Sequence, residues 1–329
     1  MTSRQFDVVA MGDAIVDVIA TCDDAFIAEH GLPKGQMQLL SPVDADRLYA
    51  AMGSARESSG GSAANSMAGV AAMGARAAFI GQIADDQLGA IFTHDMRALG
   101  VAFDTPPIPA DGLPTGRCLI LVTPDAQRTM NTCPGASHEL APAALDEALI
   151  RGSAILFLEG YLWGPEKPRA AMRRAVEIAH DAGNKVAFTL SESVCMAGRK
   201  EAFNAMLDTR GVDLLFANED EALQLAGRSD LDAAIESLSA RVPTLVITRG
   251  PAGALAVDEG RRAEVPAVPV ASVVDTTGAG DLFAAGFLAA RCKGHDVERC
   301  LFTGALAASE IISHFGARPV ADLQELVKL

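Results

Sequence analysis

Hydrophobic runs of strand length alternate with segments of helical periodicity along most of this chain. Continuous apolar runs predict buried strands at Phe6–Met11, Ala77–Ile83, Ala154–Leu158, Val186–Leu190, Val212–Ala217 and Thr244–Thr248. Amphipathic or small-residue segments predict helices at Ser62–Met73, Asp86–Leu99, Arg169–Asp181, Asn218–Ala226, Leu231–Arg241, Asp281–Lys293 and Val297–Ser313. Alternation of this kind is typical of repeated βαβ units. We therefore expect an α/β fold with a mainly parallel sheet.

Two early segments depart from this alternation. Residues 14–52 and 104–132 contain short alternating runs and several turn residues, and the second has no long helical pattern. We expect both to project from the sheet as a small β-rich lid, with the α/β core formed by residues 1–13, 53–103 and 133–329. Within the core, an antiparallel meander is predicted over Ala254–Val257 and Ala263–Val274.

Composition and charge narrow the class of protein. The 329 residues are 50% hydrophobic and 21% charged, close to the norm for folded globular proteins. Lys and Arg number 27 against 42 Asp and Glu, and this net charge of −15 argues against a nucleic-acid or anionic-membrane partner. The apolar runs are too short to cross a bilayer and the first residues lack a signal-peptide pattern, so we expect a cytoplasmic protein. The six cysteines form no C-x-x-C pair, which disfavours a zinc site and a disulfide framework.

The most informative segment is Asp275–Asp281, with the sequence DTTGAGD, which lies between an apolar run and a predicted helix. Backbone N–H groups at such a helix N-terminus can cradle a phosphate, and Gly278 and Gly280 allow it to approach closely. A preorganised donor of this kind contributes roughly 3–4 kcal/mol to a transition state. The Asp281 carboxylate can accept a proton from an attacking hydroxyl, a role worth about 10²–10⁴-fold in rate. Taken alone, the turn is equally consistent with a glycine turn in which Asp281 only caps the helix.

Further polar groups follow a predicted strand or begin a predicted helix. Gly61 lets a polyhydroxyl ligand touch the backbone, and Asn65, one helical turn later, offers both a donor and an acceptor. Asp13 and Asp17 follow the first strand, at the edge where open α/β proteins bind ligands. The alternative interpretations are a capped helix start and solvated turn acids.

The turn DTTGAGD resembles the second signature of the PfkB family of carbohydrate and nucleoside kinases, also called the ribokinase family, and Gly60–Asn65 resembles the first. The resemblance implies that Asp281 is the catalytic base and that the anion hole is formed by Gly278, Ala279 and Gly280. It also implies that Asp13, Asp17, Gly61 and Asn65 bind the acceptor. No GxxxxGK[ST] motif is present, which excludes a Walker-type phosphate loop.

The resemblance extends to two segments on the nucleotide side. Asn218 and Glu221 match an N-x-x-E motif, which implies that they hold the magnesium and phosphate network, with Glu221 nearest the metal. Their alternative role is structural, because Asn is a good helix cap and acids in a first turn complement the helix dipole. Thr248 and Gly250 match a nucleotide-binding turn, and together with Thr276 they are expected to approach ATP.

The resemblance covers almost the whole chain and implies a ribokinase-like three-layer α/β/α sandwich, with a mainly parallel central sheet and a small β-rich lid. It implies ATP as the phosphoryl donor, Mg²⁺, and a small-molecule nucleoside or sugar as the acceptor. A monovalent cation such as K⁺ and the choice between a monomer and a homodimer are left open.

The residues around Arg128 resemble the adenosine kinase branch of the family, in which an arginine at this position reaches the transferring phosphate. A guanidinium suits that task because it donates bidentately to phosphate oxygens. Tyr161 and Trp163 follow a predicted strand, where an aromatic ring can stack on a purine, although Trp163 alone is better explained by core packing. We therefore expect phosphorylation of a nucleoside 5′-hydroxyl, with adenosine giving AMP.

Two residues depart from the adenosine kinase pattern. Gln38 and Pro134 stand where an apolar contact with the base is expected. The alternative is a sugar kinase of the same family, acting on a primary hydroxyl of a ribose- or fructose-type sugar. A non-catalytic ligand-binding module is less favoured, because Asp281 and its neighbouring glycines are intact. The first βα turn lacks G-x-G-x-x-G, so a dehydrogenase is set aside.

Overall fold

The computed structural model describes residues 4–125, 127–191 and 200–329, and these contain two β-sheets. The strands, numbered along the chain, are β1 (Phe6–Met11), β2 (Ile15–Thr21), β3 (Met37–Leu39), β4 (Arg56–Gly60), β5 (Ala77–Ile80), β6 (Val101–Ala102), β7 (Gly116–Val122), β8 (Arg128–Cys133), β9 (Ser153–Glu159), β10 (Lys185–Thr189), β11 (Leu214–Asn218), β12 (Thr244–Thr248), β13 (Ala254–Asp258) and β14 (Arg261–Val265).

The larger sheet has nine strands in the order β14-β13-β12-β11-β10-β9-β1-β5-β6. Neighbouring strands from β6 across to β12 are parallel, while β13 and β14 close one side as an antiparallel hairpin. Parallel strands need crossover connections, and helices supply several of them here. This order places the carboxyl ends of seven strands along one edge, where the polar residues predicted to bind ligands are found.

The helices are α1 (Asp24–Glu29), α2 (Pro42–Ala51), α3 (Ser62–Ala72), α4 (Gln87–Ala98), α5 (Glu147–Arg151), α6 (Glu166–Asp181), α7 (Lys200–Asp208), α8 (Glu219–Ala226), α9 (Leu231–Ser239), α10 (Ala279–Cys292), α11 (Val297–Ile311) and α12 (Leu323–Val327). In the part of the chain that the structure describes, no helix is both long and apolar enough to cross a membrane.

Hydrophobic cores lie on both faces of the larger sheet. Val8 packs with residues of α3, α10 and α11, whereas Val9 packs with residues of α6, α8 and α9. Adjacent strand residues point to opposite faces, so a strand buried on both sides reads as one continuous apolar run. The predicted three-layer α/β/α sandwich is confirmed.

The smaller sheet, which we call the lid sheet, has the strand order β3-β8-β7-β2-β4. Strands β2, β3 and β7 fall within residues 14–52 and 104–132, as the predicted lid requires, and β8 runs one residue past the second segment. Strand β4 also belongs to this sheet, although its sequence lies in a segment predicted to be core. The division of the chain into a core and a lid stays a prediction.

The strand register gives the lid sheet two unlike faces. Val18, Leu119, Asn131 and Gln38 are paired in one row across β2, β7, β8 and β3. This row belongs to the outer face, which packs against α1 and α2. The neighbouring row contains Asp17 and lies on the opposite face, which we call the inner face. The other side chains on the inner face are chiefly apolar and include those of Ile15, Ile19, Cys118, Ile120, Val122 and Met130.

The predicted strand Ala263–Val274 is too long. Strand β14 ends at Val265, and residues 266–274 belong to no strand. Pro266 and Pro269 explain the early end, because proline lacks the N–H that a strand ladder requires. The N–H of Val274 instead donates to the carbonyl oxygen of Ile312 (2.8 Å), so this apolar run packs beside the end of α11 and leads directly into the glycine-rich turn.

Candidate active site

Helices α3 and α10 pack tightly and bring two predicted site residues together. A β-carbon added to Gly69 would lie only 2.7 Å from the Cβ of Ala285, so the helices approach each other through this glycine. Asn65 and Asp281 each lie four residues earlier, on the same faces of the two helices. The contact between the helices therefore places the Asn65 side chain against the Asp281 carboxylate.

Asp281 receives a hydrogen bond on each carboxylate oxygen. Ser62 Oγ donates to Oδ1 (2.6 Å), and Asn65 Nδ2 donates to Oδ2 (2.8 Å). Burial raises the pKa of Asp281 above its usual range, and these two hydrogen bonds together with the charge of Arg318 lower it in part. A carboxylate whose pKa is moved toward neutrality is a stronger proton acceptor near neutral pH.

Arg318, in the C-terminal segment, completes this cluster, and sequence reasoning missed it. Its Nη1 donates to Asn65 Oδ1, while its Nη2 donates to the carbonyl oxygen (2.8 Å) and the Oγ (3.0 Å) of Ser59. Burial lowers the pKa of Arg318, and the negative charges of Asp17 and Asp281 oppose that effect. Arg318 lies 253 residues from Asn65 and in no recognised motif, so no local pattern pointed to it.

Glu159, at the end of β9, is a second buried site residue that sequence reasoning missed. Its Oε1 accepts from the N–H of Asp13 and its Oε2 accepts from the N–H of Ala63, both at 2.6 Å. Burial raises the pKa of Glu159 well above its usual range, and the neighbouring Asp13 raises it further. An acid ending an apolar strand at the ligand-binding edge was the signal that could have found it.

The residues predicted to bind the acceptor converge beside this carboxyl. Gly61 has a φ of +92°, and a β-carbon there would lie 2.3 Å from the carbonyl oxygen of Asp13. Burial raises the pKa of Asp13, and its Oδ1 is buried without a hydrogen-bond partner among the described residues. Asp17 lies against Gly60, and burial raises its pKa to about 6. The structure therefore brings Asp13, Asp17, Gly61 and Asn65 to one place.

Asp275 braces the glycine-rich turn. Its Oδ1 accepts from the N–H (3.0 Å) and the Oγ (2.8 Å) of Thr277, and its Oδ2 accepts from the N–H of Gly316 (2.9 Å). These bonds tie the start of the turn to the segment after α11. The first acid of DTTGAGD therefore holds the shape of the turn, whereas the last one, Asp281, reaches the acceptor residues.

The turn ends at the N-terminus of α10, where backbone N–H groups lack partners within the helix. Gly278 caps the helix in the left-handed conformation, with a φ of +79°. The N–H of Ala279 donates to the carbonyl oxygen of Thr276 (3.2 Å) in this structure, and the anion-hole roles of Gly278, Ala279 and Gly280 stay a prediction. A β-carbon on Gly280 would meet no atom within 4 Å, so open space lies beside this glycine. The arrangement fits an incoming phosphate.

Arg128 reaches the glycine-rich turn from the lid sheet. Its Nη2 lies 2.7 Å from Asp275 Oδ2, its Nη1 donates to Thr277 Oγ (3.2 Å), and its guanidinium lies 5.7 Å from the ring centre of Phe315. The Nε is buried without a partner among the described residues. Arg128 therefore lies beside the glycine-rich turn, where it contacts Asp275 and Thr277, and its role at the transferring phosphate stays a prediction.

The two aromatic candidates occupy different environments. Trp163 is buried and lies edge-on to Phe188, with ring centres 6.0 Å apart, so core packing accounts for it. It is not placed to stack on a ligand. Tyr161 begins a short 3₁₀ turn, Tyr161–Trp163, directly after β9 and is half-buried at the ligand-binding edge. The role of Tyr161 in acceptor binding stays a prediction.

Gln38 and Pro134 both have structural roles. Gln38 Nε2 donates to Oδ1 of the fully buried Asn131 (2.7 Å) on the outer face of the lid sheet. Its side chain therefore faces away from the inner face, and the interpretation of Gln38 as a base contact is wrong. Pro134 precedes the 3₁₀ helix Gly135–Glu139, and its carbonyl oxygen accepts from the Oγ of Ser137 (2.8 Å).

The N-x-x-E segment forms a complete capping box at the start of α8. Asn218 Oδ1 accepts from the N–H of Glu221 (2.8 Å), and Glu221 Oε2 accepts from the N–H of Asn218 (2.9 Å). These two reciprocal hydrogen bonds are those of a helix cap. Among the described residues, no group of three or more His, Cys, Asp or Glu is arranged to hold a metal ion. The magnesium role of Glu221 stays a prediction.

Thr248 and Gly250 lie at the same edge of the larger sheet as α8. Thr248 ends β12, and Gly250 begins the 3₁₀ turn Gly250–Ala252 with a φ of +52°. A β-carbon on Gly250 would meet no atom within 4 Å, so the turn borders open space. This position is compatible with the predicted approach of a nucleotide.

A model of the pfkB family of carbohydrate kinases matches residues 6–323. The chain belongs to this family. It resembles the crystal structure of adenosine kinase from Sinorhizobium meliloti, with a TM-score of 0.91, 44% identity, and coverage of 98% of this chain and 99% of that one. It also resembles the crystal structure of a probable sugar kinase from Rhizobium etli CFN 42, with a TM-score of 0.92, 41% identity, and coverage of 99% of this chain and 98% of that one.

Among curated relatives, the 5-dehydro-2-deoxygluconokinase of Shouchella clausii (strain KSM-K16) is 27% identical over 334 residues, which span 99% of this chain and 96% of that protein. Membership of the pfkB family makes the protein a kinase and implies the use of ATP with a nucleoside or sugar acceptor. Its relatives differ in the acceptor that their names give, so the acceptor has to be argued from the site.

Proposed function

We propose that the protein transfers the γ-phosphoryl group of ATP to the 5′-hydroxyl of a nucleoside, with adenosine, giving AMP, as the favoured acceptor. The observation that carries the proposal is the pairing of two surfaces. The chiefly apolar inner face of the lid sheet is also the face from which Asp17 reaches the charges of Arg318 and Asp281 and from which Arg128 reaches the glycine-rich turn. A nucleoside has matching halves, since its base is flat and largely apolar and its ribose is polar.

The inner face supports a ring-shaped partner in particular. The side chains of Ile15, Cys118 and Ile120 form a small cluster of their own, with Ile19, Val122 and Met130 packed against it. A free pentose or hexose presents hydroxyls on every side and gains little from such a surface, whereas burying a base removes apolar area from water. The similarity to adenosine kinase from Sinorhizobium meliloti, at 44% identity, supports the same choice.

Charge argues against an acidic acceptor. Four carboxyl groups meet in the site, from Asp13, Asp17, Glu159 and Asp281. Among the described residues, two arginines reach the site and both are already engaged, Arg128 by Asp275 and Arg318 by Asn65 and Ser59. A sugar acid, which the name of the relative from Shouchella clausii implies, would add a negative charge that neither of these two arginines is free to receive.

In the proposed reaction, Asp13, Asp17, Gly61 and Asn65 hold the ribose hydroxyls. Asp281 takes the proton of the 5′-hydroxyl while the oxygen of that hydroxyl forms a bond to the γ-phosphorus of ATP. The bond between the γ-phosphorus and the oxygen bridging to the β-phosphate breaks, and ADP is released. The N–H groups of Gly278 and Gly280 stabilise the transferring group, and Arg128 turns from Asp275 toward its oxygens. The nucleotide is bordered by Thr248, Gly250, Thr276 and Asn218. Mg²⁺ offsets the phosphate charge, with Glu221 as its proposed protein partner.

A neutral sugar is the second candidate. The probable sugar kinase from Rhizobium etli CFN 42 is 41% identical over almost the whole chain. Asp13, Asn65 and Asp281 would serve the primary hydroxyl of a ribose- or fructose-type sugar in the same way. That acceptor gains less than a nucleoside from contact with the apolar inner face of the lid sheet, which is why the nucleoside is preferred.

The test is ATP-to-ADP turnover with Mg²⁺ on a panel of acceptors: adenosine, inosine, guanosine, cytidine, ribose, fructose, fructose 6-phosphate and 5-dehydro-2-deoxygluconate. We expect the highest kcat/KM with adenosine, and AMP as the phosphorylated product by ³¹P NMR. Turnover of sugars alone overturns the nucleoside and keeps the kinase. Asp281→Asn and an EDTA-treated reaction are the controls that separate this turnover from contaminating activity.

A further inference from the structure

We infer that Arg318 is a positioning residue, which fixes the Asn65 side-chain amide so that its NH₂ group, and not its oxygen, faces Asp281. The inference rests on the role proposed for Asp281. The geometry is a chain of three groups: Arg318 Nη1 donates to Asn65 Oδ1, and Asn65 Nδ2 donates to Asp281 Oδ2 at 2.8 Å.

The two ends of this chain permit only one orientation of the amide. A guanidinium has donors and no acceptor, so it requires the amide oxygen, whereas an ionised carboxylate only accepts and requires the NH₂ group. A flipped Asn65 would face donor with donor at Arg318 and acceptor with acceptor at Asp281. The chemistry of Arg318 therefore selects the amide orientation that supports the base.

Arg318 is itself held in place. Its Nη2 donates to both the carbonyl oxygen and the Oγ of Ser59, at the end of β4 in the lid sheet. The N–H of Ser59 donates in turn to Asp95 of α4 (2.9 Å). The guanidinium thus spans the lid sheet and α3, and its orientation depends on β4 lying against the core. The hydrogen bond that Asn65 donates to Asp281 therefore depends, through Arg318, on the position of strand β4.

Arg318 also sets the charge around the base. The charged groups facing Asp281 are Asp17 from β2, Glu159 from β9 and Arg318 from the C-terminal segment. Among the described residues, the next titratable or charged neighbours of this group are Arg128, Asp13, His138 and Asp95. The positive charge of Arg318 lowers the pKa of both Asp281 and Asp17, and that of Arg128 lowers the pKa of Asp17 as well.

The experiment compares Arg318→Met and Arg318→Lys with the wild-type enzyme across pH, using the acceptor with the highest kcat/KM in the panel. We expect Arg318→Met to lower kcat/KM by about 10- to 100-fold near neutral pH and to move the acidic limb of the profile to higher pH. Arg318→Lys keeps the charge, so the limb stays in place while turnover falls. Arg299→Met is the control, because Arg299 also donates to backbone carbonyl oxygens, those of Val327 and Lys328. We expect this variant to change neither kcat/KM nor the position of the acidic limb.

A double-mutant cycle with Asn65→Ala tests whether Arg318 acts through the amide. We expect Arg318→Met to cost less than about 3-fold in the Asn65→Ala background, because the group it positions is gone. The inference would be overturned if the losses in kcat/KM of the two single variants multiplied in the double variant, or if the acidic limb of the pH profile did not move in Arg318→Met. A variant too unstable to assay is replaced by Arg318→Lys in the same cycle.

A readout that needs no turnover separates this inference from the proposed function. The Asp281 carboxyl carbon, assigned by its loss in Asp281→Asn, is titrated by ¹³C NMR in the wild-type protein and in Arg318→Met. A higher pKa in the variant supports the inference even if no acceptor on the panel is phosphorylated. An unchanged pKa of Asp281 counts against Arg318, whatever the acceptor proves to be.

Discussion

Arg128 Nη2 lies 2.7 Å from Asp275 Oδ2, and this ion pair joins β8 of the lid sheet to the turn that precedes α10. Both side chains are buried, at 11% and 6% exposure. Asp275 also holds Thr277 and Gly316 through hydrogen bonds, so it keeps three donors when the arginine leaves. Arg128 can therefore turn toward a phosphate without leaving a bare buried carboxylate, which is the condition for a group that acts only during transfer.

Arg128→Ala is expected to lower kcat by roughly 10²–10³-fold while KM for both substrates changes little. In the proposed reaction, the guanidinium contributes to the transition state and otherwise rests on Asp275. Steady-state kinetics at fixed pH measure the split between kcat and KM. Arg47→Ala, which removes an exposed arginine from α2, is the matched control and should behave as wild type. A raised KM with normal kcat would assign Arg128 to ground-state binding.

Asp281→Asn is expected to lower kcat by about 10²–10⁴-fold while both substrates still bind. The amide keeps an oxygen for Ser62 but cannot take the proton of the hydroxyl. In the wild-type enzyme, kcat should fall at acid pH as Asp281 becomes protonated, with the limb above the usual carboxyl range because burial raises the pKa of Asp281. Calorimetric binding with stopped-flow turnover checks both points, with Asp230→Asn at the cap of α9 as the control. Near-normal kcat in Asp281→Asn would remove it from the chemistry.

The sequence predicts the parts of the site whose signals are local. Asp281, Gly278 and Gly280 lie in one seven-residue turn, and the apolar runs on either side place that turn correctly at the start of a helix. The positive φ of Gly61 fits the same local logic, whereas its close approach to Asp13 depends on the tertiary fold. Where one segment contains both the chemistry and the element boundary, no knowledge of the tertiary fold is needed.

The parts that were missed depend on tertiary structure. Arg318 meets Asn65 only because α3, α10 and the C-terminal segment converge. Gln38 was misassigned because strand residues alternate between faces, and a shift of one position moves a side chain from the ligand to the core. The register with Asn131 decides that face, and the sequence of β3 does not contain it.

The two faces of the lid sheet give a paired test of acceptor recognition. Met130→Gln places a polar side chain of similar length on the inner face, and we expect KM for a nucleoside to rise about 3- to 10-fold while KM for ribose, if it is used, stays the same. Gln38→Met makes the reverse change on the outer face. It should leave KM unaltered but lower the free energy of unfolding by about 1–3 kcal/mol, because the Oδ1 of buried Asn131 loses its hydrogen-bond donor. Equal effects of the two variants on KM would refute this division of the faces.

Glu221→Gln separates the metal role from the helix cap. Glutamine also fits the third position of a capping box, so we expect the thermal midpoint to change little. If Glu221 belongs to the magnesium network, the Mg²⁺ concentration for half-maximal activity should rise several-fold. Asn218→Ala is the companion variant, expected to cost about 1 kcal/mol of stability because it removes the cap itself. An unchanged Mg²⁺ requirement in Glu221→Gln would leave the segment as a helix cap only.

Asp17→Asn should stabilise the protein near neutral pH and weaken its activity. Burial raises the pKa of Asp17 from 3.8 to about 6, so the folded protein binds more protons than the unfolded chain between these values. The free energy of unfolding that Asp17 contributes therefore falls as the pH rises through this window and stays low above it.

Asparagine lacks this titration, so the variant should be more stable than wild type by on the order of 1 kcal/mol at pH 7.5, since Asp17 is only half-buried. The gap should close toward pH 4. Urea unfolding of both proteins at several pH values measures the gap directly, and the difference between them cancels the titration of Asp13 and Glu159. A difference in unfolding free energy that is constant with pH would mean that the Asp17 carboxyl is solvated. The folded protein would then spend no stability on keeping this carboxylate ionised in the acceptor site.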